Sequence, residues 1–216
     1  MVDTDFAVWE PIYERILEDF GFDREGDEEA ALFLSRMLTE KNTASLSELK
    51  AVISGKPVLV CGNAPKLRND LSAINFFAFT VIAADGAAAV LMDMGVVPEV
   101  ICTDLDGNSE ADIEKEILAC EQGSIVLIHA HGDNIYKLEK YVRRFKRFIA
   151  TTQGEPFDNV YNFGGFSDGD RCVFIAKEFR AQSVRLAGFD FEDSRVNPIK
   201  KKKLKWAKEL IRMLGI

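Results

Sequence analysis

Apolar residues recur at helical spacing through the first fifty positions: Phe6, Trp9, Ile12, Tyr13, Ile16, Leu17 and Phe20, then Ala30, Leu32, Phe33 and Met37. That period predicts amphipathic helices, punctuated by Gly21 and Gly26. A third short helix is predicted from near Ser45 to Gly55. From Lys56 the pattern changes. PVLVC, TVIAAD, EVICTD, SIVLIHAHGD, RFIATT and SVRLAGFD are short apolar runs ending in Gly, Asp or other polar residues, and they read as buried strands. Between them lie the helical stretches GAAAVLMDMG, SEADIEKEILACEQ, NIYKLEKYVRRF and DGDRCVFIAKEFR, and PIKKKKLKWAKELIRML closes the chain as a helix. This alternation predicts an α/β fold, with a mostly parallel, Rossmann-like sheet and helices on both faces. The α/β domain is expected over residues 56–216, with an N-terminal helical cap over residues 1–55.

Composition narrows the function. A chain of 216 residues that is 47% hydrophobic supports one full core rather than two large domains. Its net charge of -8 speaks against general binding of nucleic acid or an anionic membrane. An anionic nucleotide is still accessible if a metal and local N–H groups supply positive charge. Cys61, Cys102, Cys120 and Cys172 form no C-x-x-C pair. Cys61 and Cys102, in apolar runs, read as small buried hydrophobes, and with no disulfide scaffold suggested a reducing compartment is the expectation. The N-terminal segment lacks the pattern of a signal peptide, and no apolar stretch approaches the roughly 18 residues of a membrane span. A cytoplasmic protein is the expectation.

In an open parallel sheet, ligands bind beyond the carboxyl ends of the strands. The residues there are Gly62-Asn63-Ala64-Pro65, Asp85-Gly86, Thr103-Asp104-Leu105-Asp106-Gly107, His129-Ala130-His131-Gly132-Asp133-Asn134 and Gly188-Phe189-Asp190. Gly164 to Arg171 joins them before a helix. One Asp before a helix is an ordinary cap, but the same chemistry at five strand exits points to a shared polar site. Asp104 and Asp106, at i and i+2 of extended chain, would project to one side and read as a clamp for Mg²⁺, which takes carboxylate and phosphate oxygens. His129 and His131 are the only histidines. Without a third they make a poor zinc site, and they read as contacts to substrate or phosphate. The Gly62 turn offers backbone N–H groups to an anion. Gly86 allows a helix to approach a ligand closely, and Arg171 could meet a phosphate. The basic run Lys200 to Lys203 reads as a solvated helix start.

The order of these motifs is recognisable. ADGAAAVLMDMGVVPEVICTDLDGN resembles the core of thiamine pyrophosphokinases. The five motifs from Gly62-Asn63-Ala64-Pro65 to Gly165-Phe166-Ser167-Asp168-Gly169-Asp170-Arg171 resemble more closely the archaeal 6-hydroxymethyl-7,8-dihydropterin pyrophosphokinases. Two departures stand out: Lys66 replaces an expected Ser after Pro65, and the Gly-Gly-Arg-x-Asp-His ending of the thiamine enzymes is missing. The resemblance implies a thiamine-pyrophosphokinase-like fold. It also implies Mg²⁺-dependent transfer of diphosphate from ATP to the hydroxymethyl group of a reduced pterin, releasing AMP, toward tetrahydromethanopterin or folate-type cofactors.

On that basis Asp104 and Asp106 would hold Mg²⁺, with Asp85 or Asp133 completing the shell, and Asp168 or Asp133 would accept the alcohol proton. Gly62, Asn63, Gly86, Asn134, Asp170 and Arg171 would position the triphosphate, with His129 and His131 near phosphate. Phe163 or Phe166 would stack on the pterin. The N-terminal helices could close the site or form a subunit contact, so a homodimer is left open. The rival readings are a thiamine pyrophosphokinase, a metal-dependent nucleotide-sugar glycosyltransferase and a non-catalytic nucleotide sensor.

Overall fold

The computed structural model of the chain describes residues 6–39, 42–107 and 109–216. The first five residues of the predicted cap, and Asn108 at the end of the thiamine-kinase-like string, lie outside them. The helical spacing of the first fifty residues becomes α1 (Phe6–Phe20), α2 (Arg24–Ser35) and α3 (Leu46–Ile53). Asp23 caps α2 through the Glu25 N–H, and Ser45 with Glu48 forms a capping box on α3, each satisfying otherwise orphaned helix N–H groups.

The strands are β1 (Pro57–Cys61), β2 (Thr80–Ala84), β3 (Val100–Thr103), β4 (Ile125–Ala130), β5 (Phe148–Thr152), β6 (Val160–Tyr161) and β7 (Ser183–Ala187). Interleaved with them are α4 (Leu67–Ser72), α5 (Ala87–Asp93), α6 (Glu110–Glu121), α7 (Ile135–Tyr141), α8 (Asp168–Glu178) and α9 (Pro198–Met213). All seven strands pair in parallel in the order β6-β5-β4-β3-β2-β1-β7. The two-residue β6 and the six-residue α4 are too short to leave a periodic signal in the sequence.

Period-two alternation splits the strand side chains between two cores. Leu59, Cys61, Ile101, Val126 and Ile128 face α2, α4, α5, α6 and α7. Val58, Val60, Ile82, Cys102 and Leu127 face α3 and α8. A third cluster packs α1 and α9 over α8 through Trp9, Tyr13, Phe166, Phe174, Trp206 and Leu210. The N-terminal helices are therefore divided among the layers, with α2 and α3 on opposite faces of the sheet. Among the described residues, no helix is long and apolar enough to cross a membrane.

Successive strands step from β1 to β6, and the chain then returns to place β7 on the other side of β1. The direction of winding thus reverses between β1 and β7, which opens a crevice beyond their carboxyl ends.

Candidate active site

Three carboxylates from separate segments meet at this edge. One oxygen each of Asp85, Asp104 and Asp168 lies within 4.8 Å of the others. Asp85 leaves β2 with φ 49°, and its Oδ1 accepts the Thr103 hydroxyl at 3.0 Å. The same Thr103 oxygen accepts the Leu105 N–H at 3.0 Å, so the β2 and β3 exits are locked together. A Cβ on Gly107 would sit 2.9 Å from Asp85 Oδ2, so a larger residue here would push on that carboxylate. Asp168 opens α8 and pairs with the buried Arg171 at 2.7 Å. The Arg171 guanidinium also donates to the Phe166 carbonyl at 3.2 Å.

Crowding sets the charges. Burial and the neighbouring Asp104 charge push the Asp85 carboxyl up to about 7. Burial, again with Asp104, raises Asp168 well above the ordinary range despite Arg171. Burial also works against Asp104. Even so, the His131 ring, with its Nε2 3.4 Å from Asp104 Oδ2, the Asp106 N–H and Arg171 together hold that carboxyl below the usual value. Three hard oxygen donors, two of them reluctant to ionise side by side, match the preference of Mg²⁺ for carboxylate oxygens.

The expected Asp104-Asp106 clamp is revised. Leu105 is fully buried and has φ 63°, so the segment is a turn rather than extended chain. Asp104 Oδ1 caps the Asp106 N–H at 2.9 Å, and the Asp106 side chain is left exposed, 3.4 Å from the Tyr136 hydroxyl. Asp133 is also exposed and stands apart from the trio. Asp168, expected as a base, takes the third place in the cluster.

Several residues expected to touch ligand are committed internally. Asn134 is fully buried: its amide donates to the carbonyls of Asp104 and His129, each at 2.7 Å, and accepts the His131 N–H. Asp170 is spent on the α8 capping box, accepting the Phe166 and Ser167 N–H groups and the Ser167 hydroxyl. Gly86 donates its N–H to Asp85. In the Gly62 turn, the Gly62 and Ala64 N–H groups bond to Ala187 and Gly188 of the β7 exit at 2.8 and 2.9 Å. Of the turn's backbone donors, that leaves Asn63 to face an anion. Phe163 lies in the core between Tyr161 and Phe179, so Phe166 alone of the two stacking residues reaches the site.

The site has two lobes. The larger, about 390 Å³, lies at the winding reversal between Gly62–Pro65, Asp85 and Gly188–Phe191. The smaller, about 220 Å³, is walled by Phe22, Asp27, His129, His131 and Gln153, with Asp133 and Arg171. Asp104, Phe166 and Lys203 line both. Lys200 and Lys203, read from the sequence as solvated, therefore face the larger lobe across α9. Neither they nor the contributions from α2 could be found by looking at strand exits. His129 is buried, with Nδ1 3.1 Å from the Thr151 hydroxyl and Nε2 without a partner among the described residues. Burial, Arg171 and His131 keep its ring neutral.

Residues 33–196 match the family model described as 6-hydroxymethylpterin diphosphokinase MptE-like. Three proteins named 6-hydroxymethyl-7,8-dihydropterin pyrophosphokinase are similar over nearly their whole length. The one from Methanocaldococcus jannaschii is 38% identical, covering 97% of this chain and 95% of its own. That from Methanothermobacter thermautotrophicus is 39% identical (94% and 92%), and that from Pyrococcus furiosus is 39% identical (95% and 92%). A solved MAf glycosyltransferase from Magnetospirillum magneticum AMB-1 overlaps 75% of this chain and 30% of its own, with 15% identity and a TM-score of 0.48, too distant to bear on the reaction.

Proposed function

The chain belongs to the MptE-like 6-hydroxymethylpterin diphosphokinase family, and from that premise we propose that it transfers diphosphate from ATP to 6-hydroxymethyl-7,8-dihydropterin. The observation that carries this reading is the convergence of Asp85, Asp104 and Asp168 beside the winding reversal of a parallel sheet, where phosphates are bound in such folds. The names of the three relatives support a pterin rather than thiamine as acceptor.

ATP occupies the larger lobe, its phosphates reaching the aspartate trio. Lys200 and Lys203 line this lobe and bring positive charge toward the phosphates in a chain of net charge -8. Asp85, Asp104 and Asp168 would hold Mg²⁺, which when bound supplies charge neutralisation for the triphosphate. The hydroxymethyl oxygen attacks the β-phosphorus. A new O–P bond forms, the bridge to the α-phosphorus breaks, and AMP leaves with that bridging oxygen. Such a transfer depends on positioning more than on covalent help from the protein.

The alcohol proton needs a carboxylate. Asp168 is committed to Arg171 and to the trio, so Asp133, exposed at the rim of the smaller lobe, takes it. Incubation with ATP, Mg²⁺ and 6-hydroxymethyl-7,8-dihydropterin, read by mass spectrometry, tests the reading. AMP and the pterin diphosphate are expected in equal amounts; release of ADP, or no consumption of the pterin, would refute it.

A further inference from the structure

We propose that the smaller lobe is the seat of the pterin ring and that the N-terminal helices build its outer wall. The inference rests on the pterin reading above and adds where the acceptor sits.

Size separates the two lobes first. At about 220 Å³ the smaller lobe is below the range usual for drug-sized ligands. It suits a single bicyclic ring better than a nucleoside triphosphate, whereas the lobe of about 390 Å³ adds Lys200 to the Lys203 that both lobes share. Chemistry separates them next. His129 is 2% exposed, lines the smaller lobe and leaves Nε2 without a partner among the described residues. A buried ring nitrogen in that state is costly until a ligand meets it, and a pterin presents ring and exocyclic nitrogens around its edge. The faces of the ring need aromatic partners. Phe22, 42% exposed in the link between α1 and α2, stacks on Phe20 at 5.1 Å, and Phe20 lies 5.1 Å from Phe166.

The wall is fixed rather than loose. Asp27 of α2 is buried. Its Oδ2 accepts the Tyr13 hydroxyl at 2.6 Å and the Gln153 amide at 2.7 Å, and its Oδ1 accepts the Gly132 N–H at 3.0 Å. Gly26 and Gly132 approach so closely that a Cβ on either would stand 3.2–3.3 Å from the other's backbone. Asp104 and Phe166 border both lobes, so a ring seated here directs its hydroxymethyl group toward the phosphates.

Fluorescence titration with 6-hydroxymethyl-7,8-dihydropterin and calorimetry with Mg²⁺ and α,β-methylene-ATP read the two seats separately. In Phe22→Ala, an exposed site that should not disturb folding, pterin affinity should fall about tenfold, with the ATP analogue bound within twofold of wild type. His129→Phe, which keeps the bulk without the nitrogen, should do the same, and Lys200→Ala should show the reverse selectivity. Unchanged pterin binding in Phe22→Ala, in a protein whose wild type makes pterin diphosphate, would overturn the seat alone. So would an equal loss of both ligands. A wild type that makes no pterin diphosphate would instead defeat the functional reading beneath it.

Discussion

Asn134 donates its side-chain N–H to the backbone carbonyl of Asp104 at 2.7 Å. The same amide reaches the His129 carbonyl, also at 2.7 Å, and accepts the His131 N–H at 3.1 Å. One buried side chain thereby ties the β3 exit, which carries a trio carboxylate, to the β4 exit, which carries both histidines.

Asn134→Ala should therefore cost about 2–3 kcal/mol of stability, because it leaves buried backbone groups unpaired. Turnover should fall more than affinity for either substrate, since Asp104 loses its anchor. Urea unfolding and steady-state kinetics on the same preparation check both. A variant as stable as wild type would show that water replaces the amide at no cost.

The raised Asp85 carboxyl makes the metal-free protein sensitive to pH. Its folded value of about 7 lies above its ordinary 3.8. Between these values the folded state keeps a proton that the unfolded chain has lost, so this group's contribution to stability falls as pH rises. Asp85→Asn lacks that titration. In chelator, the stability difference should move in favour of the variant by at most about 1.4 kcal/mol per pH unit between about pH 4 and pH 7. A flat difference across that window would mean that Asp85 ionises as it does in water.

Gly165 has φ 91°, and a Cβ on it would fall 2.6 Å from Arg171 Cα. Gly165→Ala should destabilise by more than about 2 kcal/mol. It should also displace the Arg171–Asp168 pair, lowering turnover of whatever protein remains folded. Thermal unfolding followed by activity at a temperature where the variant is folded separates the two effects.

The strand exits were readable in order from the sequence. Each apolar run stops at a polar or glycine-bearing turn, and a parallel sheet places such turns on one edge; Asp85 and Asp104 were found in this way. Side-chain direction was not readable. Leu105 turns into left-handed backbone because its side chain is drawn into the core, and this swings Asp106 away from Asp104. Asp170 and Asp168 look equivalent along the chain, yet helix geometry spends the first on the cap and delivers the second to the trio. Lys200, Lys203, Phe22 and Asp27 reach the site because α9 and α2 pack beside the strand exits, a tertiary relationship that local periodicity does not encode.

Binding of Mn²⁺, which shares the oxygen-ligand preference of Mg²⁺, is the most direct measurement of where the metal is held. It can be followed by the electron paramagnetic resonance of the free ion in the presence of α,β-methylene-ATP. Asp85→Asn, Asp104→Asn and Asp168→Asn should each weaken binding about tenfold or more, while Asp106→Asn and Asp133→Asn stay close to wild type. Retained affinity in Asp104→Asn, together with its loss in Asp106→Asn or Asp133→Asn, would contradict the three-aspartate centre.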